Sequence, residues 1–280
     1  FGQDSSFAGN VTAQGNQDGN SVGDFYYEPP SGYLALCTSN LPAPSIKLPG
    51  DNFNTVLWTG NATADRAITG VGFQTDMLWI KNRGAAEGHK LVDGVRGATK
   101  YIVPNNIDAE ATDSDMVTSL DSDGFTIGAQ ASVNQDTKAI VGWNWLGANS
   151  TATNTDGDIP GTVTVSANPT AGFSIVTYTG NASAGVSVGH GLGEALDLLL
   201  VKDLTSQNDW RVYCRSMARP QDSLKLNTTA SSIDDNTVWD DTQPDATVFT
   251  IGDNADVNTS GNGYVAYCFH SVEGYSKVGS

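Results

Sequence analysis

Apolar and polar residues alternate in short runs along this chain, and the runs are separated by Gly, Asn and Asp. In the stretch from Thr55 to Thr59, Val56 and Trp58 lie on one face, and Val176 and Tyr178 repeat that arrangement further along. A period of two is typical of strands that bury one face. The pattern therefore predicts short β-strands bounded by turns.

Two other runs are apolar on both faces, as expected of strands that are covered on both sides. They are Asp76–Lys81 (DMLWIK) and Asp197–Lys202 (DLLLVK). No stretch shows a convincing helical stripe. We therefore predict an all-β chain of β-sandwich modules, of jelly-roll or lectin-like type.

The predicted strands belong to an internal duplication. Three segments return in the second half of the chain: Phe53–Asn82 as Phe173–Asp203, Gly124–Gly128 as Val248–Gly252, and Ala139–Leu146 as Gly263–His270. A repeat of about 120 residues is longer than a solenoid unit and long enough for a domain. The expectation is one β-rich module that occurs twice in tandem.

The duplication suggests four segments. Residues 1–49 are expected to be the closing strands of a preceding lectin-like domain with a Pro-rich linker, and residues 50–147 form copy 1 of the module. Residues 148–161 are polar and of low complexity, which predicts a surface linker. Residues 162–280 form copy 2. Because the chain starts at Phe1 and ends without a finishing element, we expect it to be part of a longer polypeptide.

The chain is strongly acidic, with 31 acidic residues against 14 basic residues and a net charge of −17. This balance argues against nucleic acid and anionic membranes as partners, because binding them requires clustered Lys and Arg. No run of 18 apolar residues occurs, so membrane insertion is not expected. The three cysteines lack a zinc-binding spacing. Buried free thiols are favoured, with a Cys214–Cys268 disulfide as the alternative.

The acidic run Asp113, Asp115, Asp121 and Asp123 suggests two interpretations. Carboxylates at alternating positions in loops can bind calcium, which prefers six to eight oxygen ligands. The same residues are typical of tight turns, since short Asp side chains bond to the nearby backbone. Turn chemistry is the favoured reading, and calcium is the alternative cofactor.

Enzyme activity is not expected. His89, His190 and His270 are the only histidines, none lies in a metal-binding or hydrolase motif, and no nucleophile elbow is present. Carbohydrate binding has better candidates, because sugar sites combine an aromatic platform with nearby polar groups. Trp210 and Trp239 lie in polar surroundings and are the candidate platforms, although partial burial is the commoner fate of such residues.

Four stretches give the chain its resemblance to a known family: TGVGFQTDMLWIKNR, HKLVDGVRGATK, EATDSDMVTSLDSDGFTIG and VNQDTKAIVGWNW. They resemble a repeat of virion proteins of tailed bacteriophages, especially marine ones, and in particular DUF7483-type modules of tail fibres and other appendages. FYYEPPSGYLALCTSNLP and FGQDSSF resemble the closing strands of a SPRY or concanavalin-like lectin domain. FHSVEGYSKVGS is similar to a junction between modules.

This resemblance implies a non-catalytic structural protein on the virion surface, in a tail fibre or a capsid-attached appendage, which builds or presents a host-binding surface. It implies other virion proteins as partners and homo-oligomerisation, with a trimer expected from fibres. The resemblance supplies no ligand residues. Two alternatives remain: a lectin module that binds host surface glycans directly, and a bacterial surface adhesin or filament subunit.

Overall fold

The computed structural model describes residues 14–41, 43–217, 219 and 222–279. The chain forms two compact units, Phe1–Pro44 and Ser45–Ser280, and both copies of the repeat lie in the second unit. The second unit is built from antiparallel β-sheets, which confirms the all-β sandwich prediction.

The strands of copy 1 are short and separated by turns, as the sequence pattern predicts. They are β1 (Phe53–Thr59), β2 (Arg66–Ile68), β3 (Met77–Asn82), β4 (Lys90–Asp93), β5 (Lys100–Tyr101), β6 (Ala111–Thr112), β7 (Val117–Asp121), β8 (Gly124–Ile127) and β9 (Ala139–Trp145). A one-turn helix, α1 (Ala131–Asn134), precedes β9. The main sheet has the order β1-β9-β3-β4, and a smaller sheet has the order β2-β8-β7.

Copy 2 repeats this arrangement with additional strands at both edges. Its strands are β10 (Ala152–Asn154), β11 (Val163–Asn168), β12 (Phe173–Thr179), β13 (Val186–Gly189), β14 (Leu198–Asp203), β15 (Arg211–Cys214), β16 (Asp222–Lys225), β17 (Ile233–Asp234), β18 (Val248–Ile251) and β19 (Gly263–Phe269). Two one-turn helices are α2 (Asn236–Trp239) and α3 (Ala255–Asn258). The main sheet has the order β10-β11-β12-β19-β14-β15-β16-β17, and β13 pairs with β18.

Each copy buries its own core between its main sheet and its smaller strands. In copy 1 this core includes Trp58, Leu78, Ile80, Phe125 and Ile140. The core of copy 2 is built from equivalent positions: Tyr178, Leu199, Val201, Phe249 and Tyr264. Burying a large apolar side chain contributes about 1.5–3 kcal/mol, so each of these cores stabilises its copy substantially.

A third core lies between the two copies, which we call the seam. Its buried members are Met77, Leu91, Ile102, Phe173, Ile175, Leu200, Trp210, Val212, Val265 and Tyr267. Trp79 and Trp145 pack against it from copy 1. The main sheets therefore bury one face in their own copy and the other in the seam, which explains why the β3 and β14 sequences are apolar on both faces.

The turn before the last strand is held in the same way in both copies. The Asn134 side chain accepts a hydrogen bond from Asn61 N (3.0 Å) and donates to Thr63 O and Gly128 O. The Asn258 side chain accepts from Asn181 N (2.7 Å) and donates to Ser183 O and Gly252 O. The two asparagines occupy the same position in the repeat because the backbone of this turn needs the hydrogen bonds that their side chains make.

Glycine is required beside that turn by close packing. A Cβ on Gly60 would lie 2.0 Å from Gln135 O, and one on Gly180 would lie 2.3 Å from Thr259 O. No L side chain fits such a distance without displacement of the backbone. The TGN motif that the two copies share therefore places a residue without a Cβ directly after the last residue of β1 and of β12.

Some expectations differ from the structure. The stretch 148–161, expected to be a linker, contains β10, which pairs with β11. Cys214 and Cys268 are free thiols, so the alternative of a disulfide between them is wrong. Burial raises the pKa of Cys268 to about 12, which keeps its thiol protonated. Among the described residues, no helix has the length and apolar character needed to cross a membrane.

The first unit is organised around one carboxylate. Asp18 accepts hydrogen bonds from Ala35 N (2.7 Å), Asn20 N, Val22 N and the Asn40 side chain. Burial opposes ionisation of Asp18, but these donors outweigh it and lower its pKa to about 2. Residues 1–7, which resemble part of a lectin domain, lie outside the described residues.

Strand pairing is sparse in the described part of the first unit. The stretch FYYEPPSGYLAL, which resembles closing strands of a lectin domain, pairs there only through the bridge between Asn16 and Phe25. Tyr27, Tyr33 and Leu36 are exposed. A short two-stranded piece has too little apolar surface to form a stable sheet by itself.

Candidate functional site

The two tryptophans predicted as sugar platforms are buried. Trp210 lies in the seam and is fully buried, and its Nε1 donates to Val103 O at 3.1 Å. Trp239 lies in the core of copy 2, 1% exposed, against the Tyr213 ring. Neither ring can stack on a sugar, so both predicted platforms are wrong. Their polar neighbours in the sequence concealed an inward orientation.

The four aspartates of the predicted calcium site serve separate turns. Asp123 accepts from Gly70 N and Gly72 N, and Asp121 accepts from the Thr126 hydroxyl. Asp115 accepts from Ala129 N, and Asp113 accepts from Asp115 N. Across the described parts of the chain, no three His, Cys, Asp or Glu side chains form a group that could hold a metal ion. The structure does not assemble these aspartates into a calcium site, and each has a turn partner instead.

All three histidines make local structural contacts. His89 Nδ1 lies 2.9 Å from Trp79 Nε1, which donates to it. His190 is buried, with its Nε2 3.2 Å from Asp245 O, and burial lowers its pKa. His270 lies with its ring nitrogens near Ser271 O and Pro169 O.

A buried polar cluster crosses the seam. Asp93 Oδ2 accepts from Arg96 Nε (2.6 Å) and from the Tyr267 hydroxyl (2.6 Å), and Arg96 Nη1 lies 3.1 Å from Glu110 Oε2. Burial would lower the pKa of Arg96, but Asp93 and the other partners outweigh it and raise that pKa. The Arg96 and Asp93 side chains are almost fully buried. Because Arg96 stays charged and paired, the cluster is suited to fixing the two copies rather than to proton transfer.

Lys202 is a second buried polar group that connects the copies. Its Nζ donates to Ile107 O of copy 1 (3.1 Å) and to Asn208 O of copy 2 (2.9 Å). Burial lowers its pKa to about 8, against the opposing influence of nearby carboxylates, first among them Asp203. A backbone bond from Glu110 N to Leu204 O runs close by in the chain. All of these contacts end on backbone carbonyl groups, and together they join the two copies.

An aromatic pocket opens at one end of the seam. Its volume is about 320 Å³, and its lining combines both copies with the C-terminal segment. The aromatic members are Phe53, Trp145, Phe173, Phe269 and Tyr275. Ring centroids are 4.8 Å apart for Phe53 and Trp145 and 5.1 Å apart for Phe173 and Phe269. Such a wall can hold an apolar group or the CH face of a sugar ring.

A polar groove adjoins this pocket and shares His270 with it. The groove measures about 540 Å³ and presents Glu194, Asp197, Arg215 and Ser271. Arg215 and Asp197 form an ion pair of 3.0 Å, and Asp197 also accepts from Ser271 N. The pocket and groove together form the seam cleft, in which rings and hydrogen-bonding groups lie side by side. This cleft is the candidate binding site.

A family model described as a domain of unknown function, DUF7483, matches residues 48–280. The chain belongs to the DUF7483 family. No curated protein and no solved structure gave a significant match.

The DUF7483 match spans both copies, so the family domain includes the seam and the cleft. Sequence reasoning missed the cleft because its rings come from β1, β9, β12, β19 and the C-terminal segment. One signal was present: Phe53, Trp145, Phe173 and Phe269 lie at corresponding ends of strands in the two copies. A pair of aromatic residues at the same position in each copy indicates a surface that the copies build together.

Proposed function

We propose that this DUF7483 chain is a non-catalytic structural module of a tailed-bacteriophage appendage, in a tail fibre or a capsid-attached assembly. The proposal rests on which residues the two copies have in common and on which residues differ between them. What they have in common, such as Asn134 and Asn258, holds strands and turns. What they do not share, such as Asp93 and Arg96, belongs to the buried cluster that binds one copy to the other through Tyr267.

The location on a virion derives from the sequence resemblance, and the architecture is suited to it. Two sandwiches joined through an apolar seam make a rigid block, since packed interiors deform little. Linked modules of this kind can space or present weak binding surfaces and gain avidity from repetition. Other virion proteins, and further copies of the chain, are the partners that such a block would have.

The test is the location of the chain on particles. Antibodies against the purified 280-residue protein should label intact phage particles that encode it, and mass spectrometry of the same particles should detect its peptides. Uninfected host cells are the matched control. Labelling of host cells with no signal on particles would favour a bacterial adhesin or filament subunit and would overturn the proposal.

The seam cleft supports a second candidate, direct glycan binding. Its aromatic wall beside Asp197, Arg215 and Ser271 has the composition that a sugar site requires. Because no metal-binding cluster lies among the described residues, binding through the cleft should not depend on calcium. The half-buried Tyr275 packs against Ile46, Ala171 and Val272 and not against the seam core, so its removal should leave the seam in place.

A glycan array probed with the intact chain, with and without a chelator, tests this candidate. We expect a glycan signal that the chelator does not change and that Tyr275→Ala reduces at least tenfold. Tyr33→Ala, which removes an exposed ring in the first unit, is the control. Silence of the array under both conditions would exclude direct recognition of the arrayed glycans and leave the structural role.

A further inference from the structure

The two main sheets differ at one edge. In copy 2, β12 is paired on both sides, with β19 and with β11. In copy 1 the equivalent strand β1 pairs only with β9 and forms the edge of its sheet. The segment that would correspond to β11 contains Pro44 and a short 3-10 turn at Pro49–Asp51, and it forms no strand.

The exposed edge of β1 carries a regular row of backbone groups. At the two ends of the strand, Leu146 N donates to Asn52 O and Gly60 N donates to Lys138 O. In an antiparallel pair the direction of these groups alternates, so even-numbered residues face β9 and odd-numbered residues face away from it. Phe53, Thr55, Leu57 and Thr59 therefore direct their N–H and C=O groups outwards.

Two of these outward groups are already bonded within the chain. Thr55 N donates to the Asn54 side-chain oxygen at 2.9 Å, and Thr59 O accepts from Arg66 Nη1. The groups of Leu57 have no such local partner among the hydrogen bonds of the described residues. The Leu57 side chain is 66% exposed on the same strand.

β1 lacks the features that normally protect an edge strand. Proteins prevent edge-to-edge pairing with charged residues, prolines, bulges or very short strands. β1 has seven residues, FNTVLWT, with no charge and no proline. The other edge strands of the second unit, within the described residues, have at most five. The longest of these, β7, contains a bulge and ends at Asp121.

In copy 2, the strand equivalent to β1 shows which kind of strand can pair with this edge. β11 is an uncharged strand, VTVSAN, that runs antiparallel to β12 and pairs Thr164–Asn168 with Phe173–Thr177. β1 has the same properties as β11: it is extended, uncharged and alternating. In a chain of net charge −17, an uncharged strand is also a place where two copies can meet without repulsion.

We propose that β1 pairs antiparallel with β1 of a second copy of this chain. The register that uses the whole strand is centred on Val56 and places Thr55 opposite Leu57 of the second copy. This two-fold contact joins the two four-stranded sheets into one, with both copy 1 cores on the same side. Each β1 edge is then covered by the same edge of the second copy, as in an isologous interface.

The proposal does not depend on where the protein acts, and it specifies a dimer rather than the trimer expected from the fibre resemblance. Sedimentation velocity and light scattering of the 280-residue chain across a concentration series should give twice the monomer mass. A monomer at every concentration, or a trimer, would overturn self-pairing. A monomer that binds the peptide 161–169 would identify a foreign strand as the occupant and would also overturn it.

Variants at the edge test the register. Leu57→Lys places a charge on each β1 at the contact and should weaken dimerisation at least tenfold, with no change in the urea midpoint of unfolding at concentrations low enough for both proteins to be monomeric. Leu226→Lys, at an exposed leucine away from β1, should leave the dimer intact. A dimer that survives Leu57→Lys uses another surface, and the proposal then fails.

A compensating variant makes the test specific. Thr55→Glu combined with Leu57→Lys places a carboxylate opposite each new ammonium across the two-fold axis, so the double variant should dimerise again. Like charges opposite each other destabilise a strand pair and opposite charges stabilise it. A double variant that stays monomeric would contradict the antiparallel register centred on Val56.

Discussion

The two copies carry the same fold but differ in how each is completed. Copy 2 has β10 and β11 along one edge of its main sheet and β16 and β17 along the other, whereas the copy 1 sheet ends at β1 and β4. In the buried polar cluster of the seam, copy 1 supplies Asp93 and Arg96, and copy 2 supplies Tyr267. Where Asp93 stands in copy 1, copy 2 has Cys214. The duplication thus preserved the strands, and divergence at the seam made two similar modules into one unit.

The largest expected effect comes from breaking the seam at Arg96. Arg96→Met would leave the Asp93 carboxylate buried without its cationic partner, which costs about 3–5 kcal/mol of unfolding free energy. Urea denaturation of the full chain measures the change. Asp234→Asn, which removes the exposed ion pair between Asp234 and Arg219, should cost less than about 1 kcal/mol. Equal losses in the two variants would show that the buried cluster does not hold the copies together.

The two turn asparagines test whether equivalent positions are energetically equivalent. Asn134→Ala and Asn258→Ala each remove four hydrogen bonds of a buried side chain, and each should cost about 2–4 kcal/mol. The two losses should agree within about 1 kcal/mol, because three of the four partners correspond between the copies. Asn105→Ala, at an exposed residue, is the control. A large difference between the two would mean that one copy dominates the stability of the unit.

Lys202 connects the copies in a manner that depends on pH. Its pKa is about 8 in the folded protein and 10.5 in the unfolded chain, so between these values the unfolded chain binds more protons. Stability contributed by this group therefore rises with pH, by roughly 2 kcal/mol between pH 8 and pH 10. Below pH 8 the lysine is charged in both states, and the contribution is constant.

The measurement is the difference in unfolding free energy between the native chain and Lys202→Met across this range. Buried tyrosines and Cys268 titrate in the opposite sense at high pH, and the subtraction removes their contribution. A difference curve that is flat from pH 7 to pH 10 would contradict the lowered pKa.

The smallest effect concerns one hydrogen bond that both copies make with different residues. Trp58 Nε1 donates to Val133 O in copy 1, and the Tyr178 hydroxyl donates to Val257 O in copy 2. Tyr178→Phe removes only the donor and should cost about 1 kcal/mol or slightly more, since the carbonyl stays buried. Differential scanning calorimetry can resolve the change. Tyr33→Phe, at an exposed ring, should be neutral, and an equal loss there would refute the assignment.

Local patterns predicted the strands well and the fate of single aromatic residues poorly. The alternation at Val56 and Trp58 predicted an inward face, and Trp58 is buried there. The same reasoning could not place Trp145 in the seam. Alternation predicts that one face of a strand is buried, but it does not identify the element that packs against that face. The polar sequence neighbours of Trp210 and Trp239 suggested sugar platforms, but both rings turn inwards and are buried.

The candidate site was the least predictable part. The seam cleft needs Phe53 beside Trp145, and both beside Phe173, although these residues lie far apart in the sequence. The aspartates that looked like metal ligands are close in sequence, yet their carboxylates bond to separate turns. Proximity in sequence is a poor guide to convergence, since Asp side chains are bonded most readily by the nearest free N–H groups.

The sequence by itself determined the strands, the turns and the duplication, because side-chain alternation, Gly and Asn act on the backbone within a few residues. The Asn134 and Asn258 turns and the close approach at Gly60 and Gly180 belong to this local level. Only the tertiary structure decided that the copies share a core, that Lys202 bridges them and that β1 is left as an open edge. Those outcomes depend on which sheet faces pack together. The packing is determined by the total apolar surface that segments distant in the sequence bury against each other.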